Sequence, residues 1–289
     1  MSKVISFQIP KSQNSFIQYQ EDRGKHFYDS LHQHPQAQLT LIVEGRGQLL
    51  MGDYVGRFGP GDLYLLPESI PHVFRSDADY YLGNSDLQIA GNTIFFDFKA
   101  MGKAFSEVED FIELVQLNEK ISGSFKIIGE SRKEISGLLG QVGSCTGLPR
   151  LRHCIHILSL LDFNSEDLVA LNKIPVMKTM TERDGRRMDQ VMRFILENST
   201  RQISLEEVAE QAYMSKEAFC RFFKLRTRRT FTQYVQQLRI TEAKKLLLET
   251  DMGISEISYQ VGFQTLSHFN KTFKNLTEMT PKDWRKLEL

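Results

Sequence analysis

The feature that most constrains this 289-residue chain is a repeat near its C-terminus, between Ile203 and Arg285. Phe219 matches Phe269, Phe223 matches Phe273, Lys224 matches Lys274, Thr227 matches Thr277 and Thr230 matches Thr280, all at an offset of fifty positions. Upstream, Val208 matches Ile257 and Met214 matches Phe263 at forty-nine, so the second turn carries one extra residue. A repeat of this period with its apolar positions in register marks a duplicated supersecondary unit. Each copy reads helix, turn, helix. The first runs through Ile203-Ser204-Leu205-Glu206-Glu207-Val208-Ala209, a turn at Tyr213-Met214-Ser215, and Phe219-Cys220-Arg221-Phe222-Phe223-Lys224. The second runs through Ile254-Ser255-Glu256-Ile257-Ser258, a turn at Gly262-Phe263-Gln264, and Phe269-Asn270-Lys271-Thr272-Phe273-Lys274.

Local signals fix the helix ends. Ser204 with Glu207 three residues on forms a capping box, and Ser215 caps the helix after the first turn. Gly185–Asn198 opens the domain as a helix with Met188, Val191, Ile195 and Leu196 inward. Phe231–Glu249 joins the two units as one helix, about 28 Å long at about 1.5 Å per residue. Successive major-groove faces lie about 34 Å apart, so a rigid connector of this length suits two recognition helices one turn of DNA apart.

On the second helix of each unit, Phe219, Phe222, Phe223, Phe269 and Phe273 have the spacing of a buried face. The residues between them then face outward: Ser215, Lys216, Glu217, Cys220, Arg221 and Lys224 in the first unit, and Thr265, Leu266, Ser267, His268, Asn270, Lys271 and Lys274 in the second. Arg221 and Lys271 can reach guanine O6 and N7, Asn270 can pair with adenine, and Glu217 can accept from cytosine N4. Lys224, Lys274 and the helix N-termini suit phosphate. Double-stranded DNA is the expected partner. The charge balance agrees. The chain is neutral overall, but Thr181–Leu289 holds 19 Lys and Arg against 15 Asp and Glu, leaving 17 against 21 in residues 1–180.

The rest of the chain has a different period. Residues 3–98 show short strand-like runs: Val4–Ile9, Phe16–Gln20, Gln38–Glu44, Gln48–Met51, Asp62–Leu66, His72–Arg75 and Thr93–Phe98. Turn chemistry at Glu44-Gly45-Arg46-Gly47, Gly52-Asp53, Gly59-Pro60-Gly61-Asp62 and Ile70-Pro71 separates them, which predicts a small barrel or sandwich. From Gly102 the pattern turns helical. Phe105, Val108, Phe111, Ile112 and Val115 fit one helical face, and Gly129–Gly140 and Leu148–Leu161 read as two more helices. The last is apolar over much of its circumference, as suits burial against the barrel or a second subunit. Asn164–Asp184, with Pro175, reads as a connection.

No apolar run approaches the roughly 18 residues of a membrane span, and the N-terminus lacks the apolar core of a signal peptide. Cytoplasmic location without membrane association is therefore expected. Cys145, Cys154 and Cys220 lack the number and spacing of a disulfide frame or zinc knuckle, so reduced thiols are expected.

From Met188 to Lys286 the chain resembles the DNA-binding domain of the AraC/XylS family of bacterial transcription regulators. The resemblance rests on Ile203–Ala209, Arg221-Phe222-Phe223-Lys224, Leu238-Arg239-Ile240 with Ala243, Leu246 and Leu247, Ile254-Ser255-Glu256-Ile257, Val261-Gly262-Phe263, Phe269 with Phe273-Lys274, and Thr280-Pro281 with Trp284-Arg285. The chain departs from the family where Arg228 and Glu278 replace the glycine after each recognition helix, and where Tyr213 replaces a turn glycine. The N-terminal part resembles the cupin barrel many members carry as a sensor, through His32-Gln33-His34, Gly59-Pro60-Gly61-Asp62 and Pro71-His72. Metal-binding cupins supply three His and a Glu. Here His32, His34 and His72 match, but Gln38 holds the Glu position. Three imidazoles can bind an ion such as zinc, but glutamine is a poor anionic ligand, and no metal or other cofactor is assigned.

The expected fold is α+β multidomain: a cupin-like β-barrel with trailing helices, then an all-α domain with two helix-turn-helix motifs. The expected domains are residues 1–163 for effector binding and dimerisation, a linker at 164–184, and 185–289 for DNA binding. The expected function is a sequence-specific regulator, not an enzyme, answering to a small-molecule effector, with a sugar as the first guess from the resemblance. His32, His34, Gln38, His72, Tyr28, Tyr64 and Phe74 are the candidate effector contacts, with Phe27 beside them in the cavity wall. Homodimerisation and activation through RNA polymerase are what the resemblance implies. Two alternatives stay open: a metal-dependent cupin enzyme fused to a DNA-binding domain, and a constitutive DNA binder whose barrel only dimerises.

Overall fold

The structure is a computed structural model that describes residues 16–82, 86–105, 107–121, 123–172 and 181–287. The strand expected at Val4–Ile9 lies outside the described residues. The chain divides into two compact units, Met1–Met180 and Thr181–Leu289.

The first unit is the cupin-like part. Strands β1 (Ile17–Gly24), β2 (Ala37–Glu44), β3 (Gly47–Met51), β4 (Tyr54–Phe58), β5 (Leu63–Leu66), β6 (His72–Ser76), β7 (Ile89–Phe96), β8 (Phe125–Ile127) and β9 (Leu168–Ala170) form two antiparallel sheets. The larger has the order β1-β7-β2-β5-β8-β9 and the smaller β4-β3-β6. Alternation sends the two faces of the larger sheet into different surroundings. Ala37, Leu39, Leu63, Leu65, Ile94 and Phe96 face the trailing helices in one apolar core. Ile42, Tyr64 and Leu66 face the smaller sheet with Phe27, Phe58 and Phe74 in another.

The trailing helices are α1 (Phe98–Phe105), α2 (Ile112–Lys120), α3 (Gly129–Ser144) and α4 (Gly147–Ser159). The single helical face expected from Phe105 to Val115 is instead broken. Val108 is extended (φ −105°, ψ 112°) and a 3-10 turn at Glu109–Phe111 leads into α2. Val108 and Ile112 are exposed, so they share no buried face with Phe105 and Phe111. The Phe105 and Phe111 rings stack across the break at 4.7 Å. On α4, Cys154, Ile157 and Leu158 point into the core beside Ile135, Leu138, Leu139 and Val142 of α3. The neighbouring face carries Leu148, Leu151 and Ile155, which are 80%, 42% and 42% exposed. Within the expected linker at 164–184, Leu168–Ala170 forms β9, paired to β8, and residues 173–180 lie outside the described residues.

The second unit holds α5 (Glu182–Asn198), α6 (Leu205–Gln211), α7 (Lys216–Thr227), α8 (Phe231–Glu249), α9 (Ile254–Gln260), α10 (Leu266–Thr277) and α11 (Pro281–Trp284). The Thr181 hydroxyl accepts from Asp184 N, so α5 starts three residues before the expected Gly185. The Ser204–Glu207 capping box and the Ser215 cap are both formed. The duplicated threonines repeat their tasks. The Thr227 and Thr277 hydroxyls donate to Phe223 O and Phe273 O, and Thr230 and Thr280 cap the next helices.

Arg228 and Glu278 close α7 and α10 in the left-handed region, at φ 58° and 64°. A Cβ in that conformation is unfavourable by about 1 kcal/mol. Arg228→Gly and Glu278→Gly are each expected to stabilise the second unit by up to about 1 kcal/mol, read as a rise in its melting temperature. Unchanged or lower melting would show that these turns carry no strain.

Candidate nucleic-acid interface and effector cavity

Helix caps and aromatic cores orient the two candidate recognition helices. Phe219 and Phe223 of α7 are fully buried and meet Phe231 and Tyr234 of α8. Phe269 and Phe273 of α10 are fully buried beside Phe263 and Trp284. This anchoring turns the intervening residues out. Ser215, Lys216, Glu217, Cys220, Arg221 and Lys224 are exposed on the first unit, and Thr265, Ser267, His268, Asn270, Lys271 and Lys274 on the second.

Two sequence expectations change. Leu266, expected to face outward, is half-buried against the second apolar core, because the first turn of α10 tilts that side chain inward. Phe222, expected in the core, is half-buried, with the Arg226 guanidinium 5.6 Å from its ring centre. Several outward side chains also have local tasks. The Ser215 and Thr265 hydroxyls accept from Ala218 N and His268 N as caps. Lys216 pairs with Glu206 of α6, and the His268 ring lies 3.2 Å from the Gln236 amide.

The other candidate site is a cavity of about 460 Å³, open mouth included, inside the first unit. The strand registers align Gln20 with Thr93 and Thr93 with Thr40, so a polar row crosses the inner face of the large sheet. Gln20, Asp22, Tyr28, Gln38, Phe74 and Phe95 are among its walls. Asp22, Gln20, Thr40, Thr93 and Phe95 were missed by the sequence reading. The available signal was the polar alternation Gln18-Gln20-Asp22 and Gln38-Thr40 within otherwise apolar strands. Tyr64, expected in the lining, packs instead against Phe74 at 5.8 Å, and its hydroxyl donates to Asp62 Oδ2 at 2.9 Å.

His32, His34 and His72 do meet, with one ligating ring atom of each within 4.8 Å of the others. Each Nδ1 lies 2.8–2.9 Å from a backbone carbonyl: Ser30 O for His32, Gln36 O for His34 and Ile70 O for His72. In His32 and His72 a neutral ring then donates from Nδ1 and keeps Nε2 as an acceptor. His34 differs: oxygens face both nitrogens, Gln36 O at Nδ1 and Gln38 Oε1 at Nε2, each at 2.9 Å, so a neutral ring donates to one of the two. The Gln38 Nε2 donates onward to Thr40 Oγ1 at 2.7 Å, which lies 3.0 Å from Thr93 Oγ1. His72 Nε2 is buried without a hydrogen-bond partner among the described residues. Three imidazoles anchored in this way are a plausible donor set for a borderline ion such as zinc, whereas Gln38 supplies no negative charge.

Burial pushes all three histidines down: His32 to about 4, His34 below the ordinary range and His72 well below it. A histidine that stays neutral when folded but protonates when unfolded stabilises the fold above its unfolded pKa, and that stability falls as pH drops. The metal-free first unit should therefore lose stability between pH 6.5 and 5, by up to about 1.4 kcal/mol per pH unit for each histidine. Denaturant midpoints across that window measure it. A flat profile would show that these rings are solvated.

Known proteins align with both sites. The family model described as an AraC-like ligand binding domain matches residues 14–87, and that described as a helix-turn-helix domain matches residues 208–287. The HTH-type transcriptional regulator YdeC of Bacillus subtilis (strain 168) is 34% identical over 36% of this chain and 35% of its own length. The HTH-type transcriptional activator RhaS of Salmonella schwarzengrund is 31% identical over 41% of this chain and 42% of its own. RhaR of the same organism, also an HTH-type transcriptional activator, is 23% identical over 89% of this chain and 86% of its own. The chain thus spans well under half of the first and second of these relatives and most of the third. Among the described residues, no helix is long and apolar enough to cross a membrane. The chain thus matches an AraC-like ligand binding domain ahead of a helix-turn-helix domain, the two-domain arrangement of AraC-family transcription regulators.

Proposed function

We propose that the chain is a cytoplasmic, non-enzymatic activator that binds a neutral, hydroxyl-rich effector in its barrel and an asymmetric DNA sequence through α7 and α10. The observation that carries the effector class is the cavity wall. Among the described residues it holds one carboxylate, Asp22, and no lysine or arginine, beside the amides and hydroxyls of Gln20, Gln38, Thr40 and Thr93. A carboxylate or phosphate ligand would lack a fixed positive partner there. Amides and hydroxyls over aromatic walls suit a sugar, the class that family resemblance also suggests.

The exposed Leu148-Leu151-Ile155 stripe on α4 supports a homodimer, since a second copy can bury it. Effector and DNA are coupled when the effector binds the DNA-competent arrangement with a different affinity from the other arrangement. Contact with RNA polymerase, which the family resemblance implies, completes activation.

A melting screen of the full chain against neutral sugars, carboxylates and amines tests the effector class. A neutral polyol should raise the melting temperature of the first unit, and Thr93→Val should remove the shift. Stabilisation by anionic compounds alone would overturn this assignment. The convergent histidines favour one second reading, a metal-dependent cupin activity in the same barrel. Stoichiometric iron, manganese or zinc in purified protein would support it.

A further inference from the structure

The second unit contains two separate aromatic cores on one shared helix. Phe219, Phe223, Phe231 and Tyr234 contact one another in the first. Ile240, Ala243, Leu247, Ile257, Phe263, Phe269 and Phe273 fill the second. Between them lies a polar joint. Arg239, near the middle of α8, donates from Nε to Ser199 O at 2.8 Å and from Nη2 to Arg201 O at 2.6 Å. These carbonyls lie just beyond α5, where a helix end leaves acceptors without intrahelical partners. The Arg239 guanidinium also lies 5.8 Å from the Phe263 ring centre.

The second turn meets the same segment. Gly262 has φ +98°, and a Cβ there would sit 2.7 Å from Ser199 O and 2.8 Å from Thr200 O. Gln264 Nε2 donates to Gln202 Oε1 at 2.8 Å. Residues 262–264 thus dock on residues 199–202, with Arg239 between them. At the matching place in the first unit stands Tyr213, which is 78% exposed. The repeat is therefore unequal for a mechanical reason: among the described residues the second turn seats Gly262 against Ser199 and Thr200, where a side chain is excluded, whereas the matching Tyr213 side chain is exposed.

We propose that this joint, keyed by Arg239, holds α7 and α10 in a fixed relative placement and so sets the half-site spacing that one chain accepts. Arg239 is a positioning residue, remote in its contacts from the outward faces of both helices. The proposal rests on α7 and α10 being the DNA-contacting helices. The shared helix alone leaves the second core free to rock about α8. A guanidinium fork on two carbonyls, stacked on a ring of the second turn, removes that freedom in a way a lysine cannot.

The test uses the full chain with Cys145 and Cys154 replaced by serine, spin labels on native Cys220 of α7 and on a cysteine at Ser267→Cys of α10, and pulsed dipolar distance measurement. A narrow distribution is expected with Arg239 present, and a clearly broader one in Arg239→Ala and Arg239→Lys. In parallel, duplexes selected by the native chain are lengthened by one base pair between the half-sites. The native chain should lose at least about tenfold in affinity, and Arg239→Ala less than about threefold, with binding to each isolated half-site unchanged within about twofold. Gln264→Ala removes only an exposed hydrogen bond and should shift both readouts in the same direction without lowering the melting temperature. Native distance widths and native spacing penalties in Arg239→Ala and Gln264→Ala would overturn the proposal. If the distances broaden but selected DNA shows no paired half-sites, the joint exists and the DNA-contact assignment fails, taking the spacing role with it.

Discussion

Phe273→Ala is expected to destabilise the second helix-turn-helix by about 3–5 kcal/mol, because it empties the centre of a small, separate core. The Phe273 ring is fully buried, lies 5.6 Å from Phe269 and 6.0 Å from Trp284, and shares its cluster with Ile240, Ala243, Leu247 and Ile257. Single domains of this size have only about 5–15 kcal/mol in total, so a loss of this order removes much of the margin. The effect should be local. Hydrogen exchange should show lost protection in α9, α10 and α11, with α6 and α7 largely retained, since their aromatic contacts are made by Phe219, Phe223, Phe231 and Tyr234. Phe222→Ala, at a half-buried site, should cost much less. Uniform loss of protection across all the helices would show that the two cores behave as one.

The second large effect concerns recognition. Arg221 and Lys271 are exposed on the outer faces of α7 and α10, held there by buried phenylalanines two positions away. Arg221→Ala and Lys271→Ala should each cost about 1–3 kcal/mol at one base position and relax the preference there. Lys224→Ala and Lys274→Ala should weaken all sequences alike and lower the salt dependence by about one phosphate contact each. Titrations against single-base variants at two salt concentrations separate the two behaviours.

The second unit was legible because its signals are local. Apolar residues at helical spacing and hydroxyls at caps operate within a few turns of chain, and the fifty-residue repeat states them twice. The same locality explains Leu266, whose inward tilt depends on where α10 meets its core. In the barrel, the longer strands were readable from turn residues, but β4 was not. Its sequence Tyr-Val-Gly-Arg-Phe lacks clean alternation, and its partner β3 supplies the pairing. Strands β8 and β9 are three residues each and exist through pairing with each other and with β5, far away in sequence. Half of the cavity was hidden for a related reason. Gln20, Thr93 and Thr40 come together only once β1, β7 and β2 are in register. Tyr64 has the composition of a binding residue, but Asp62 and Phe74 hold it within the core.

The unequal outer faces of α7 and α10 carry the central claim, that one chain reads two different half-sequences. Lys216, Glu217 and Arg221 face outward on the first helix, and Ser267, His268, Asn270 and Lys271 on the second. Selection from a random duplex pool, repeated with Arg221→Ala and Lys271→Ala, tests this directly. The expected motif has two unlike halves about 10 base pairs apart for each copy of the chain. Arg221→Ala should relax one half, and Lys271→Ala the other. Two identical halves within one copy's footprint, or relaxation of the same position by both variants, would contradict it.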